Sequence, residues 1–488
     1  MAFVSGLLEV ETATLPLARF QNVISADQYQ RLMATVNEAQ HFFAGRTIWN
    51  VNSTANGGGV AEMLRSLIAY IKGADLDARW LVIPGDADFF QVTKRIHNHL
   101  HGDAGDGGRL DDGARKTYED VLRPSGEALS QRVGPRDIVV LHDPQTAGLT
   151  AAMTEVTPYV VWRSHVGLDM PNDLARDAWR FLLPYVTPAS AYVFSRADFA
   201  WEGLEREKIW VIPPSIDAFS TKNRELSRDQ VESILTGAGI LGGRSTSSAR
   251  FERQDGTEAP VVHGARMVEV SPATLGDRLV VQVSRWDHLK DPVGVIRGFA
   301  DHVAPGGDAH LIVAGPAVEA VTDDPEGRRV LDESVQAWEA LSPAARRSVH
   351  LAILPMIDSE ENAAIVNALQ RQAEVVVQKS LAEGFGLTVA EAMWKGRPVV
   401  ASRIGGIQDQ IDEGRTGLLV SDPRDLREYG RSVRSLLEDP VRARKIGEAA
   451  REQVRNYFLG PRHLMQYAQL FQDLMSNVAG GFRNSVSR

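Results

Sequence analysis

Two pairs of residues in this sequence have the types and spacing for chemistry on a phosphorylated sugar. Arg285 and Lys290 stand five positions apart in "VSRWDHLKDP", and Glu383 and Glu391 stand eight apart in "SLAEGFGLTVAEAMWKG". An arginine fork and a lysine point charge in one loop can close on a diphosphate from two sides. Together they can stabilise a departing phosphate without a protein-bound metal. The glutamates flank and enter a helix predicted to begin near Leu387 and to be closed by Gly396. Glu383, ahead of that helix, is expected to face a crevice and to bind a sugar there. Glu391, roughly 6 Å further along the axis, can accept hydrogen bonds from the vicinal hydroxyls of a ribose. The amides of Gly384, Phe385, Gly386 and Leu387 then lie where a helix start binds phosphate. The plainer alternatives are two solvated surface charges and a carboxylate that complements the helix dipole.

Residues like these need strands to present them, and the sequence supplies two series. From Arg46 onward, "RTIWNV" (46–51), "ARWLVI" (78–83), "DIVVLH" (137–142), "PYVVWRS" (158–164) and "KIWVIPP" (208–214) alternate with amphipathic segments. The pattern restarts with "DRLVVQVS" (277–284), "AHLIVAG" (309–315), "VHLAIL" (349–354), "AEVVVQ" (373–378) and "RPVVAS" (397–402). Alternation of this kind is that of βα units around a parallel sheet. The expected fold class is α/β, with two Rossmann-like doubly wound domains facing across a cleft and ligands at the carboxyl ends of strands. The joint is placed between Pro213 and Asn223, giving domains 1–218 and 219–457. A C-terminal helix, 458–488, is expected to pack back on the first domain, and the C-terminal helical patterns carry no recognisable chemistry. Residues 235–267, rich in Gly, Ser and charge, read as a mobile insertion.

After the first strand, "NSTANGGGVAEML" carries Gly57, Gly58 and Gly59 into a helix, where bare backbone can approach a ligand and amides favour an anion or a polarised hydroxyl. A tight turn explains the same glycines. The loop is neither GxGxxG nor a P-loop. "DAD" at 86–88 matches the Asp-x-Asp of metal-dependent single-Rossmann transferases, but it precedes a helical pattern, where capping is the simpler role.

Composition removes other classes. The 488 residues suit two domains, and no apolar run approaches the ~18 residues of a membrane span. The absence of cysteine excludes a disulfide framework and thiolate zinc, which suits the cytoplasm. The start of the sequence does not read as a signal peptide. A formal charge of −10 argues against a nucleic-acid partner.

The wording "EGFGLTVAEAM", with Arg285 and Lys290 upstream, resembles the retaining nucleotide-sugar glycosyltransferases of the two-Rossmann GT-B fold. A narrower resemblance, to the trehalose glycosyltransferring synthases, runs along most of the chain. It rests on "VNSTANGGGVAEML" (51–64), "LHDPQTAGL" (141–149), "VWRSHVGLDMPN" (161–172), "PPSID" (213–217), "TDDPEG" (322–327) and "EGFGLTVAEAMWKGRPVV" (383–400). The resemblance implies a catalytic set of His165, Glu383, Arg285 and Lys290. Arg285 and Lys290 would take the donor diphosphate, Glu391 the ribose and Glu383 the transferred sugar, with His165 close to the donor hexose. It also implies acceptor binding by Asp143 and by Gly57, Gly58 and Gly59. The substrates would be a nucleoside-diphosphate glucose (UDP-, ADP- or GDP-linked) and free glucose. No tightly bound cofactor or protein metal site is expected, although Mg2+ can stimulate such enzymes, and a homodimer is allowed. The competing readings are a retaining trehalose phosphorylase, a group 1 transferase with another acceptor, and a catalytically silent sugar-binding protein.

Overall fold

The computed structural model describes residues 2–4, 6–55, 58–243, 248–318 and 326–485. The chain divides into two compact units, residues 1–215 with 458–488, and residues 216–457. Among the described residues no helix is long and apolar enough to cross a membrane.

The first unit holds β1 (Ala2–Val4), β2 (Leu7–Glu9), β3 (Thr47–Asn52), β4 (Asp77–Val82), β5 (Ile138–His142), β6 (Val160–Ser164), β7 (Ala191–Phe194) and β8 (Ile209–Val211). They form one sheet in the order β1-β2-β4-β3-β5-β6-β7-β8, parallel from β4 to β8, with β2 antiparallel on β4. Both faces are apolar because strand residues alternate between two cores. Trp49, Val51, Val139, Leu141, Val160 and Trp162 pack on one face, and Ile48, Trp80, Ile138, Val140, Val161 and Val193 on the other. The last helix, Gly460–Ser485, covers the second face with Leu470, Phe471, Leu474 and Met475.

The second unit contains β9 (Leu241–Gly242), β10 (Arg250–Glu252), β11 (Glu258–Pro260), β12 (Arg266–Val268), β13 (Ala273–Thr274), β14 (Arg278–Val283), β15 (Ala309–Pro316), β16 (Val349–Leu354), β17 (Val375–Gln378), β18 (Val399–Ser402) and β19 (Leu418–Val420). Its main sheet runs β12-β16-β15-β14-β17-β18-β19, parallel except for β12.

The stretch expected to be a mobile insertion, 235–267, carries regular structure instead, apart from 244–247, which lie outside the described residues. β10 and β11 form a hairpin with Phe251 and Ala259 buried, and β12 joins the main sheet. The reason is anchoring at the start of the helix Ser359–Gln372. Asp358 pairs with Arg253, Glu360 accepts from the Gln254 amide at 2.7 Å, and Glu361 accepts from the amides of Val262 and His263.

In each sheet the strand order reverses about one central strand, between β3 and β5 in the first and between β14 and β17 in the second. Loops that leave the sheet at such a point diverge and open a crevice.

Candidate functional site

At the crevice of the second unit, the loop after β14 and the loop after β17 are tied together. Leu381 N donates to Leu289 O at 2.7 Å, and the first loop is held to its own strand by Gln282 Nε2, which donates to Lys290 O at 3.1 Å. Asp291, at φ 49°, caps the helix Pro292–His302 by accepting from Gly294 N at 2.9 Å. Its other oxygen pairs with the wholly buried Lys379, which also donates to Pro423 O at 2.7 Å. A left-handed aspartate costs about 1–2 kcal/mol, so the turn is held against its own preference by these partners.

Lys290 and Glu383, 93 positions apart, meet in this frame with Nζ 2.6 Å from Oε2, and Ser380 Oγ lies 3.4 Å from the same oxygen. Both side chains are only partly covered, so Lys290 keeps donors for a ligand. Arg285 has its Nη2 3.5 Å from Asp287 Oδ2, while Asp287 Oδ1 accepts from Leu289 N at 2.8 Å. Asp287, His288 and Glu326 bring one ligand atom each within 4.8 Å of one another. Asp287 is therefore already engaged in shaping the loop that carries Arg285 and Lys290.

The turn "EGFG" is shaped by Gly386, at φ 84°, where a Cβ would come within 3.0 Å of Ile407 Cγ1. Gln410 fixes it from below, its amide donating to the carbonyls of Phe385, Gly386 and Gly406. The helix runs Leu387–Trp394, and Gly396 follows at φ 68°. Glu391 is buried, and its Oε1 lies 3.3 Å from Lys222 Nζ, a partner the local sequence does not reveal. Beneath it Lys395 Nζ donates to Asn223 Oδ1 at 3.0 Å and to Glu391 O at 3.2 Å. Burial pulls the Lys395 ammonium down to about 7 despite the favourable Glu391 charge.

In the first unit, polar residues collect where β3, β5 and β6 end, on the face that the last helix covers. Asp143 is at φ 64° and His165 N donates to its Oδ1 at 2.7 Å, with His165 Nδ1 3.6 Å from Oδ2. The Asp143 side chain thus braces the neighbouring loop, and the short helix Asp143–Thr146 has no side-chain cap. Burial pushes the Asp143 carboxyl up to about 6, against the His165 amide and the Arg163 charge. His165 stacks on His142, with ring centroids 5.5 Å apart, and His142 Nε2 lies 3.1 Å from Asn50 Oδ1. Burial, then the Arg163 charge, lowers His142 to about 3 and holds His165 well below the usual histidine range. The glycine loop before the helix Gly59–Gly73 is described from Gly58 onward, and Gly57 lies outside the described residues. A Cβ on Gly58 would meet nothing within 4 Å, so packing does not call for glycine there. Asp86 accepts from Phe89 N at 2.8 Å as the cap of the helix Ala87–Leu100, the simpler role for "DAD".

Two groupings result, Arg285, Lys290, Glu383 and the 384–387 turn in one unit, and Asp143 with His165 in the other. Sequence reasoning missed His142, Arg163, Lys222 and Gln410. It also read the last helix as packing alone, whereas Arg462, His463 and Tyr467 at its start gather behind the imidazoles. Arg163 near the end of β6 and His165 just after it, two apart and therefore on one face of the chain, were the one available signal.

Two Rossmann-like sheets, each reversing its strand order beside a crevice, give the chain the GT-B fold of glycosyltransferases. Residues 50–201 match the family model "Trehalose synthase, N-terminal domain", and residues 266–453 match "Glycosyl transferases group 1". The chain is 32% identical to a trehalose synthase of Pyrococcus horikoshii over 96% of this chain and 98% of that protein. It is 33% identical to a trehalose synthase of Rubrobacter xylanophilus, covering 94% and 97% respectively. Among solved structures, a UDP-forming α,α-trehalose-phosphate synthase from Burkholderia vietnamiensis shares the fold, with a TM-score of 0.65 at 15% identity over 89% of this chain and 100% of that one. The chain belongs to the trehalose synthase family of group 1 glycosyltransferases.

Proposed function

We propose that this chain is a retaining transferase that moves glucose from a nucleoside-diphosphate glucose to free glucose, making trehalose in the cytoplasm. The observation that carries the reading is the meeting of Lys290 and Glu383 at the reversal point of the second sheet, beside Arg285 and the 384–387 amides. Arg285 and Lys290 take the diphosphate, Glu391 the ribose and Glu383 the hexose. Glu383 orients Lys290 until the phosphate competes for its remaining donors. On the first unit, Asp143 and the glycine loop take the acceptor and His165 the transferred hexose.

In this scheme the bond from the anomeric carbon to the β-phosphate oxygen breaks, and the anomeric oxygen of the acceptor glucose attacks from the same face. The acceptor proton passes to the departing phosphate oxygen, whose charge Arg285 and Lys290 stabilise. No described carboxylate is needed as a nucleophile. Mg2+ travelling with the donor would share that charge without protein ligands.

The test is incubation with UDP-, ADP- and GDP-glucose, with and without glucose, and identification of the products by NMR. α,α-Trehalose and a nucleoside diphosphate in equal amounts are expected. Release of glucose 1-phosphate from trehalose and inorganic phosphate, without nucleotide turnover, would establish the phosphorylase reading instead.

A further inference from the structure

Arg163 is the last side chain but one in β6, and none of it reaches solvent. Its Nε donates to His165 Nε2 at 2.8 Å and its Nη2 to Ile212 O at 2.9 Å. Among the described residues no carboxylate lies within ion-pairing distance of it. A second guanidinium, Arg462, sits nearby and donates to the carbonyls of Pro213 and Pro214 at 2.6 and 2.7 Å. Tyr467 places its ring 5.8 Å from Arg163, and His463 Nδ1 lies 2.8 Å from Ser215 Oγ. Burying the Arg163 charge without a close counter-ion among the described residues is costly. A core built for packing alone would fill this volume with apolar side chains.

The hydrogen bond has a chemical consequence. An arginine N–H can only donate, so His165 Nε2 must present its lone pair. The single proton of the neutral ring is then on Nδ1, which is buried and has no hydrogen-bond partner among the described residues. That Nδ1–H stands 3.6 Å from Asp143 Oδ2, too far for a direct bond. A donor and an acceptor set side by side in this way complement one hydroxyl group, which accepts from the imidazole and donates to the carboxylate.

We infer that Arg163 is a positioning residue that fixes His165 as the neutral Nδ1–H tautomer, so that His165 serves the sugar as a hydrogen-bond donor and not as a base. The inference rests on the proposed sugar-binding role of His165. The groups facing His165 are Asp143 and His142 at the end of β5, Arg163 in β6, and His463 from the last helix.

The first test needs no variant. Protein labelled with 15N-histidine, with the His165 signals assigned through His165→Gln, should show a protonated Nδ1 and an unprotonated Nε2 at neutral pH. An Nε2–H tautomer or an imidazolium overturns the inference whatever His165 does in the reaction. The second test pairs Arg163→Met and Arg163→Lys with His165→Ala. Arg163→Met should lose the fixed tautomer and lower kcat on the order of 100-fold, with donor KM little changed. Added to His165→Ala, it should cost almost nothing more. Arg163→Lys, whose ammonium can also only donate, should keep the Nδ1–H tautomer and recover part of the kcat lost in Arg163→Met. Fully multiplying losses in the double variant would overturn the inference. Parental activity in His165→Ala would instead refute the role of His165, leaving the tautomer measurement to stand separately.

Discussion

Replacing Asp143 by asparagine separates what this carboxylate costs from what it does. Burial holds the carboxyl at about 6 in place of 3.8, which corresponds to about 3 kcal/mol of preference for the neutral form. The unfolded chain releases this proton near pH 4, whereas the folded chain keeps it until about pH 6. Stability contributed below pH 4 is therefore lost as pH rises through 6. Asparagine still accepts from the His165 amide and tolerates the left-handed backbone, but it is neutral at every pH. Asp143→Asn should thus be more stable than the parent by about 3 kcal/mol at neutral pH and about equal near pH 4. Glucose transfer should move the other way. Hydrogen bonds to a charged group contribute about 1.5–3 kcal/mol, so the glucose KM should rise on the order of tenfold or more. The parent's own glucose KM should rise as pH falls through about 6, and the variant should lack that step. Urea unfolding at two pH values and initial rates of transfer against glucose give all three quantities. A variant that is less stable than the parent at neutral pH, or that keeps the parental glucose KM, refutes the reasoning.

Lys290→Met should lower kcat by about 100-fold or more while the melting temperature stays close to the parent's, because the charge matters most as the phosphate departs; single-turnover rates at saturating donor check this. Glu391→Gln should raise the donor KM about tenfold and leave kcat nearly unchanged, since ribose contacts are alike in ground and transition states. Calorimetry with the nucleoside diphosphate alone would expose an unchanged affinity. Gly386→Ala puts a side chain at φ 84° against Ile407 and should destabilise the second unit by about 1–2 kcal/mol while weakening donor binding. A melting temperature equal to the parent's would show that the turn has another conformation open to it.

The central strands were legible because both faces of a parallel sheet are buried, so β3 to β6 and β14 to β18 read as apolar runs between amphipathic helices. β7 (AYVF) and β19 (LLV) went unread, although β8, β17 and β18, equally short, were found. The folding of 248–268 was hidden because a glycine-rich stretch is ordered here by Asp358, Glu360 and Glu361, about a hundred positions away. The same limit applies at the site. Arg285, Lys290 and Glu383 were each visible from their places after a strand, but the Lys290–Glu383 contact spans two loops and no local pattern encodes it. Arg163 escaped because a charged residue inside a strand ordinarily faces solvent, and only tertiary packing shows that this one does not.

The division of the chain sets an order of manufacture. Residues 216–457 are continuous and can finish folding while synthesis proceeds, whereas residues 1–215, made before them, lack Leu470, Phe471, Leu474 and Met475 until after the second unit is made. Of the two units, the one begun first is completed second. Until the last helix is made, it carries a sheet face with an open seam, the kind of surface that chaperones guard and that aggregates when they are scarce. A premature stop near Tyr457 should consequently harm the distant amino-terminal unit and spare the one just made.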